Sequence, residues 1–202
     1  MRWVKYKQVI ENFFSLSILN ALNVLLPLVT LPYMLHVVGK ANYGAYSYVY
    51  AVVQYVILFS TYGFNFSATK QISQCRDDKE KVSKIYNAVT ASKTLIALSL
   101  SVLLLLCAKL VFKDGVGTLM FVYGLGMVVG DVLTPIWLFQ GMEKMKYMTI
   151  VNASSKILFT ILIFIVVRAS EDYQLLILLN SCGYLLAGLL SLILVCRQFH
   201  LR

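Results

Sequence analysis

The chain has 202 residues, of which 59% are hydrophobic and only 13% charged, with a formal net charge of +9. Its mean hydropathy is +0.77. Soluble domains carry about 25% charged residues and about 45–50% apolar ones, so this composition excludes an ordinary water-soluble domain, and its low charge excludes a disordered polyelectrolyte. The remaining class is a chain whose solvent is lipid.

A membrane-spanning helix needs about 20 mostly apolar residues. Cutting the chain at its charged clusters leaves six such stretches, at Phe13 to Val38, Ala45 to Ala68, Tyr86 to Phe112, Thr118 to Gln140, Ile150 to Val167 and Gln174 to Cys196. The expected fold is therefore all-α: a polytopic membrane protein, a single domain over residues 1–202 built as a bundle of six transmembrane helices. Short connections make consecutive helices antiparallel neighbours. Span one follows Arg2, Lys5 and Lys7, but it is about twice as long as the apolar core of a secretory signal and is expected to stay in the mature protein. Pro27 and Pro32 within it each remove a helical donor and are candidates for a kink or hinge. Span four contains Gly126 and Gly130, a small-residue face that lets a neighbouring helix approach closely.

Lys and Arg are distributed asymmetrically. The N-terminal tail, the loops after spans two and four and the C-terminal tail hold twelve, whereas the opposite side holds four. The positive-inside rule therefore predicts both termini in the cytoplasm. Topology and anionic headgroups account for the basic balance, leaving nothing that requires a nucleic acid partner. Cys75, Cys107, Cys182 and Cys196 show no metal-binding spacing and are read as reduced thiols. No metal or other cofactor is expected.

Charged groups at membrane depth are costly, by about 2.5–3.5 kcal/mol on insertion scales, and mark candidate functional sites. There are three here, Lys93, Asp131 and Lys156. With a rise of about 1.5 Å per residue, each lies in the cytoplasmic half of its helix. Two readings are open. Asp131 pairs with one lysine while the other snorkels to the headgroups. Alternatively, Lys93 and Lys156 give a cationic cavity for an anionic substrate, with Asp131 as counter-ion or ion-coupling site.

An enzyme would need a constellation of nucleophiles, acids or metal ligands at the membrane edge. The outer loops are too short to hold one, and the adjacent Asp77 and Asp78 are read as solvated charges between Arg76 and Lys79. Neither nucleotide-binding glycine loop is present. The chain is read as a non-enzyme.

Two segments are more specific than composition. The end of span two reads Tyr62-Gly63-Phe64-Asn65-Phe66-Ser67-Ala68-Thr69-Lys70, and the end of span four reads Pro135-Ile136-Trp137-Leu138-Phe139-Gln140-Gly141-Met142-Glu143-Lys144-Met145. Together with Leu31-Pro32-Tyr33, Gly39 and Tyr43-Gly44, they resemble the Wzx-type O-antigen and polysaccharide biosynthesis flippases of the multidrug, oligosaccharidyl-lipid and polysaccharide exporter superfamily. The resemblance implies a multi-pass protein of the bacterial inner membrane that moves an undecaprenyl-diphosphate-linked oligosaccharide from the cytoplasmic to the periplasmic leaflet. It also implies ion-coupled alternating access between two lobes around a cationic cavity. Lys93 and Lys156 match lysines common in spans three and five of that family. Ser67, Lys70, Trp137, Gln140 and Glu143 fall at the cytoplasmic end as candidate gate residues.

Two departures stand out. Lys70 occupies a position where the family more often has Arg, replacing a bidentate contact by a point charge. The family also usually has two six-helix lobes, and this chain matches the N-terminal one. The expected partners are the lipid-linked substrate, membrane lipids, the polysaccharide polymerase machinery, and a second lobe or second copy. The alternatives are a non-transporting scaffold of a polysaccharide assembly complex or an inactive truncated fragment. A relative exporting cationic drugs would want an acidic cavity, which two lysines against one Asp131 do not suggest.

Overall fold

Without water to satisfy N–H and C=O groups, an apolar chain in lipid must close its hydrogen bonds within each segment, and the helix does this. The computed structural model describes residues 2–112 and 115–199. They form α1 (Arg2–Val37), α2 (Lys40–Ser60), α3 (Phe64–Gln74), α4 (Lys79–Val111), α5 (Val116–Val132), α6 (Ile136–Gly141), α7 (Met145–Val166), a 3-10 turn (Ser170–Asp172) and α8 (Tyr173–Phe199), with no strand among the described residues. Among the described residues six passes are long and apolar enough to cross a membrane, with α2 and α3 sharing one pass and α5 and α6 another. Several helices outrun the apolar stretches, because Arg, Lys and Glu favour helix beyond the lipid boundary. Thus α1 begins at Arg2 rather than near Phe13, and α4 at Lys79 rather than near Tyr86.

The sequence reading takes spans two and four as unbroken helices, and the structure interrupts both. Between α2 and α3, Gly63 adopts φ +76°, a left-handed conformation that residues with a Cβ resist. Between α5 and α6, Pro135 has no N–H to continue the ladder. The Thr134 hydroxyl donates to Gly130 O at 2.7 Å, so a side chain occupies a carbonyl at the end of α5. By contrast α1 runs as one helix through Pro27 and Pro32.

At one end of the bundle, hereafter the Arg76 end, lie the α3–α4 and α6–α7 turns. The opposite end carries Gly39 and the turn before α8. There Tyr33 donates to Val167 O at 2.7 Å and Asn42 to Ser170 O at 2.9 Å, tying α1 to the end of α7 and α2 to the 3-10 turn.

The central helix is α5, flanked by α2, α4 and α8. Between α5 and α8 the backbones nearly touch. A Cβ on Gly130 would stand 2.3 Å from the carbonyl carbon of Tyr184, and one on Gly126 2.9 Å from Ser181 Cβ. The Gly126/Gly130 face is thus used within the chain, where close backbone approach replaces a hydrophobic driving force that lipid does not supply. Apolar residues gather in two clusters, one around Val53, Phe121, Met127 and Ile177 and one at the Arg76 end around Ile72, Trp137, Phe139 and Met148. Large apolar side chains are also exposed. Leu95, Leu98, Val102 and Leu106 repeat at helical spacing along α4, a lipid-facing stripe.

Candidate functional site

Lys93 is buried, at 3% exposure, with its Nζ 2.8 Å from Asp131 Oδ2. The same ammonium donates to Asp131 O at 2.9 Å. It therefore serves two demands of the α5 break: it pairs with a carboxylate and adds a donor to the Asp131 carbonyl, which also accepts from Thr134 N at 3.2 Å, where a cation is favoured by the helix dipole. Thr61, at the end of α2, places its hydroxyl 3.4 Å from the same carboxylate oxygen. Both helix breaks thus meet at one ion pair.

Asp131 is also at the edge of a groove of about 670 Å³ bounded by α1, α2, α7 and α8. This is within the ~300–1,000 Å³ range of small-molecule sites. Lys156 projects from α7 into it and donates to Asn23 Oδ1 of α1. Among the described residues, no carboxylate lies within ion-pair distance of Lys156. Its neighbour Ser155 is buried, lines the groove, and has a hydroxyl without a hydrogen-bond partner. Asn152, one turn earlier, uses one amide hydrogen on Met148 O at 3.1 Å.

The sequence-predicted residues thus divide. Lys156, Asp131 and Pro27 line the groove, whereas Lys93 and Pro32 are not among its lining residues. Lys93 reaches the groove only through Asp131, from the α4 side. The two lysines, equivalent in sequence, stand in different environments: one is consumed by an acid and the other faces a cavity with only an amide against it.

The candidate gate residues also separate. Trp137 is buried against Tyr86 with ring centroids 5.9 Å apart, and its carbonyl accepts from Thr69 Oγ1 at 3.2 Å. Glu143, in a left-handed backbone conformation at φ +54°, pairs with Arg76 at 2.7 Å. Arg76 Nε also donates to Gly141 O at 2.7 Å. These contacts latch α3 onto α6. A Cβ on Gly141 would meet Ile72 at 2.8 Å, so the latch closes at backbone distance. Ser67, Lys70 and Gln140 face outward from it. A smaller recess of about 270 Å³ lies among Arg76, Asp77, Lys79 and Lys144, where charges of both signs are close together. Asp78 caps α4 by accepting from Lys81 N at 3.1 Å, which holds its carboxyl below the usual carboxylate range.

Sequence reasoning missed Arg76 as a latch, Asn23 as the Lys156 partner, and the tyrosines of the groove. For the tyrosines a signal was available: Tyr43, Tyr46 and Tyr50 follow the i, i+3, i+7 pattern of one helix face.

Fold and site together define a polytopic helical membrane protein with a polar, solute-sized groove between its helices. The chain belongs to the polysaccharide biosynthesis protein family, whose family model matches residues 9–202. It is 33% identical over 188 residues to a protein of Escherichia coli (strain K12) named "Putative O-antigen transporter", covering 93% of this chain and 45% of that one. A protein of the same name from Shigella dysenteriae is 28% identical over 186 residues, covering 92% and 46%. The chain therefore spans about half the length of the curated relatives it matches. No solved structure matches it.

Proposed function

We propose that this chain forms one six-helix lobe of a carrier that moves an undecaprenyl-diphosphate-linked oligosaccharide from the cytoplasmic to the periplasmic leaflet of a bacterial inner membrane. The observation that carries the reading is Lys156, a cation at membrane depth that faces the groove with no carboxylate within ion-pair distance among the described residues. A charge so placed is costly unless an anionic group visits it, and a diphosphate does. The relatives are named as transporters rather than enzymes, in keeping with this.

In this account Lys156 is the substrate-facing cation, and Asn23 holds its ammonium between visits. Asp131 is the ion-coupling group, since it both lines the groove and holds the two helix breaks through Lys93 and Thr61. Lys93 is a positioning residue for Asp131. The Arg76–Glu143 and Thr69–Trp137 contacts are the gate at the cytoplasmic end. Alternating access then needs a second lobe or a second copy to complete the cavity, and two parallel lobes satisfy the expected topology.

Complementation tests this. A strain lacking its lipid-linked oligosaccharide flippase is supplied with the 202-residue chain or with the same chain plus any coding sequence that follows it, and surface polysaccharide is measured. Restoration by either form supports transport. Restoration by the short form alone identifies six helices as sufficient, and failure of both forms, with the protein inserted in the membrane, overturns the proposal.

A further inference from the structure

The groove is chemically lopsided. Among its described lining residues only Asp131 and Lys156 carry formal charge, and Asp131 is paired with Lys93. Along α2 the wall is aromatic instead. Tyr43, Tyr46 and Tyr50 follow one another with ring centroids 5.7 and 5.8 Å apart, tilted by 44° and 36°. Facing them from α8, Asn180 donates to the Tyr46 hydroxyl at 3.1 Å, and the Tyr184 hydroxyl accepts from Gln54 at 3.2 Å. Seven residues of helix separate Tyr43 from Tyr50, so this wall is roughly 10 Å long, enough for more than one sugar ring.

We infer that the Tyr43–Tyr46–Tyr50 wall, with Asn180 and Tyr184 opposite, is a sugar subsite selective for uncharged glycans. This rests on the carrier reading above and deepens it: Lys156 takes the anionic head and the tyrosine wall takes the sugars. The half-buried rings of Tyr43 and Tyr50, backed by the buried Tyr46, supply apolar area for the C–H faces of pyranose rings at little conformational cost. Phenol hydroxyls and amides exchange hydrogen bonds with sugar hydroxyls. Among the described lining residues Lys156, assigned to the anionic head, is the only cation, so a uronate or other acidic sugar at the wall would have no second one to pair with. It would be desolvated without compensation, which is how a site rejects the wrong ligand.

The test uses the protein, with any coding sequence that follows these 202 residues, in lipid nanodiscs on three probes: maltotriose and trigalacturonate, read by proton saturation-transfer NMR, and inorganic pyrophosphate, read by phosphorus-31 line broadening. Maltotriose is expected to bind at least fivefold more tightly than trigalacturonate. Tyr50→Ala should weaken maltotriose at least fivefold and leave pyrophosphate within twofold. Lys156→Ala should do the reverse. Tyr50→Phe, which keeps the ring, should retain maltotriose binding within about twofold. If Tyr50→Ala does not elute as a folded species, the half-buried Tyr43→Ala takes its place under the same criteria. Equal or tighter binding of trigalacturonate, or maltotriose binding indifferent to both tyrosine truncations, overturns the subsite. Loss of the carrier reading has a different signature: maltotriose binds at the wall but no form of the protein restores surface polysaccharide.

Discussion

Replacing Lys93 by methionine keeps the length and apolar stem of the side chain while removing its charge. The substitution leaves Asp131 without its partner and the Asp131 carbonyl without one of its donors. Breaking a buried ion pair by removing one member costs about 3–5 kcal/mol. The Asp131 side chain is 18% exposed toward the groove, so partial hydration lowers the expected loss to about 2–3 kcal/mol. For a chain of this size each kcal/mol moves Tm by about 2–4 °C, so Lys93→Met should melt roughly 5–10 °C below the parent. The assay is thermal unfolding in detergent micelles by tryptophan fluorescence, in which the buried Trp137 reports. Asp131→Asn should also lower Tm, whereas the double variant should recover at least half of the loss, because no uncompensated charge remains. A Lys93→Met variant within 2 °C of the parent, or a double variant whose loss equals the sum of the singles, would refute the pairing argument.

Gly130→Ala places a methyl 2.3 Å from the Tyr184 carbonyl carbon, so α5 must leave α8; overpacking of about 1–3 kcal/mol or more is expected, read as a large fall in Tm and in folded yield. Arg76→Ala removes the contacts to Gly141 O and Glu143 together, and hydrogen exchange across α3 and α6 should quicken while that of α8 stays unchanged. Asp78→Ala removes the α4 cap. Because folding lowers the Asp78 pKa, the cap's contribution is present above the ordinary aspartate range and is lost as pH falls through the folded value. The variant should therefore melt below the parent at pH 7, and the gap should close as pH falls below the ordinary aspartate range.

The six passes were legible because lipid imposes a length and a composition that few other environments demand. The helix breaks were not, although their residues stood inside the quoted motifs. Gly63 and Pro135 interrupt apolar runs that hydropathy joins, since a hydropathy scale records the solvent and not the backbone conformation. Several motif residues make packing contacts that a local pattern does not reveal: Tyr33 ties α1 to the end of α7, Gly141 admits Ile72, and the Trp137 carbonyl accepts from Thr69 of α3. Lys93 and Lys156 stand at similar depth in sequence. Only the adjacency of α4 and α5 decides that Lys93 meets Asp131, and no local pattern encodes that adjacency. The tyrosine face of α2 could have been read from its spacing, but in so apolar a chain tyrosines at helical period look like core.

The central claim is that the positive charge of Lys156 receives an anionic group in the groove, and charge variants at that position test it most directly. Lys156→Ala, Lys156→Gln and Lys156→Arg are expressed in the chain, together with any coding sequence that follows it, in a flippase-deficient strain. Membrane levels are matched by immunoblot, and surface polysaccharide is quantified. The account predicts that the two neutral variants fall to background while arginine retains a substantial share. Normal polysaccharide from either neutral variant would contradict it.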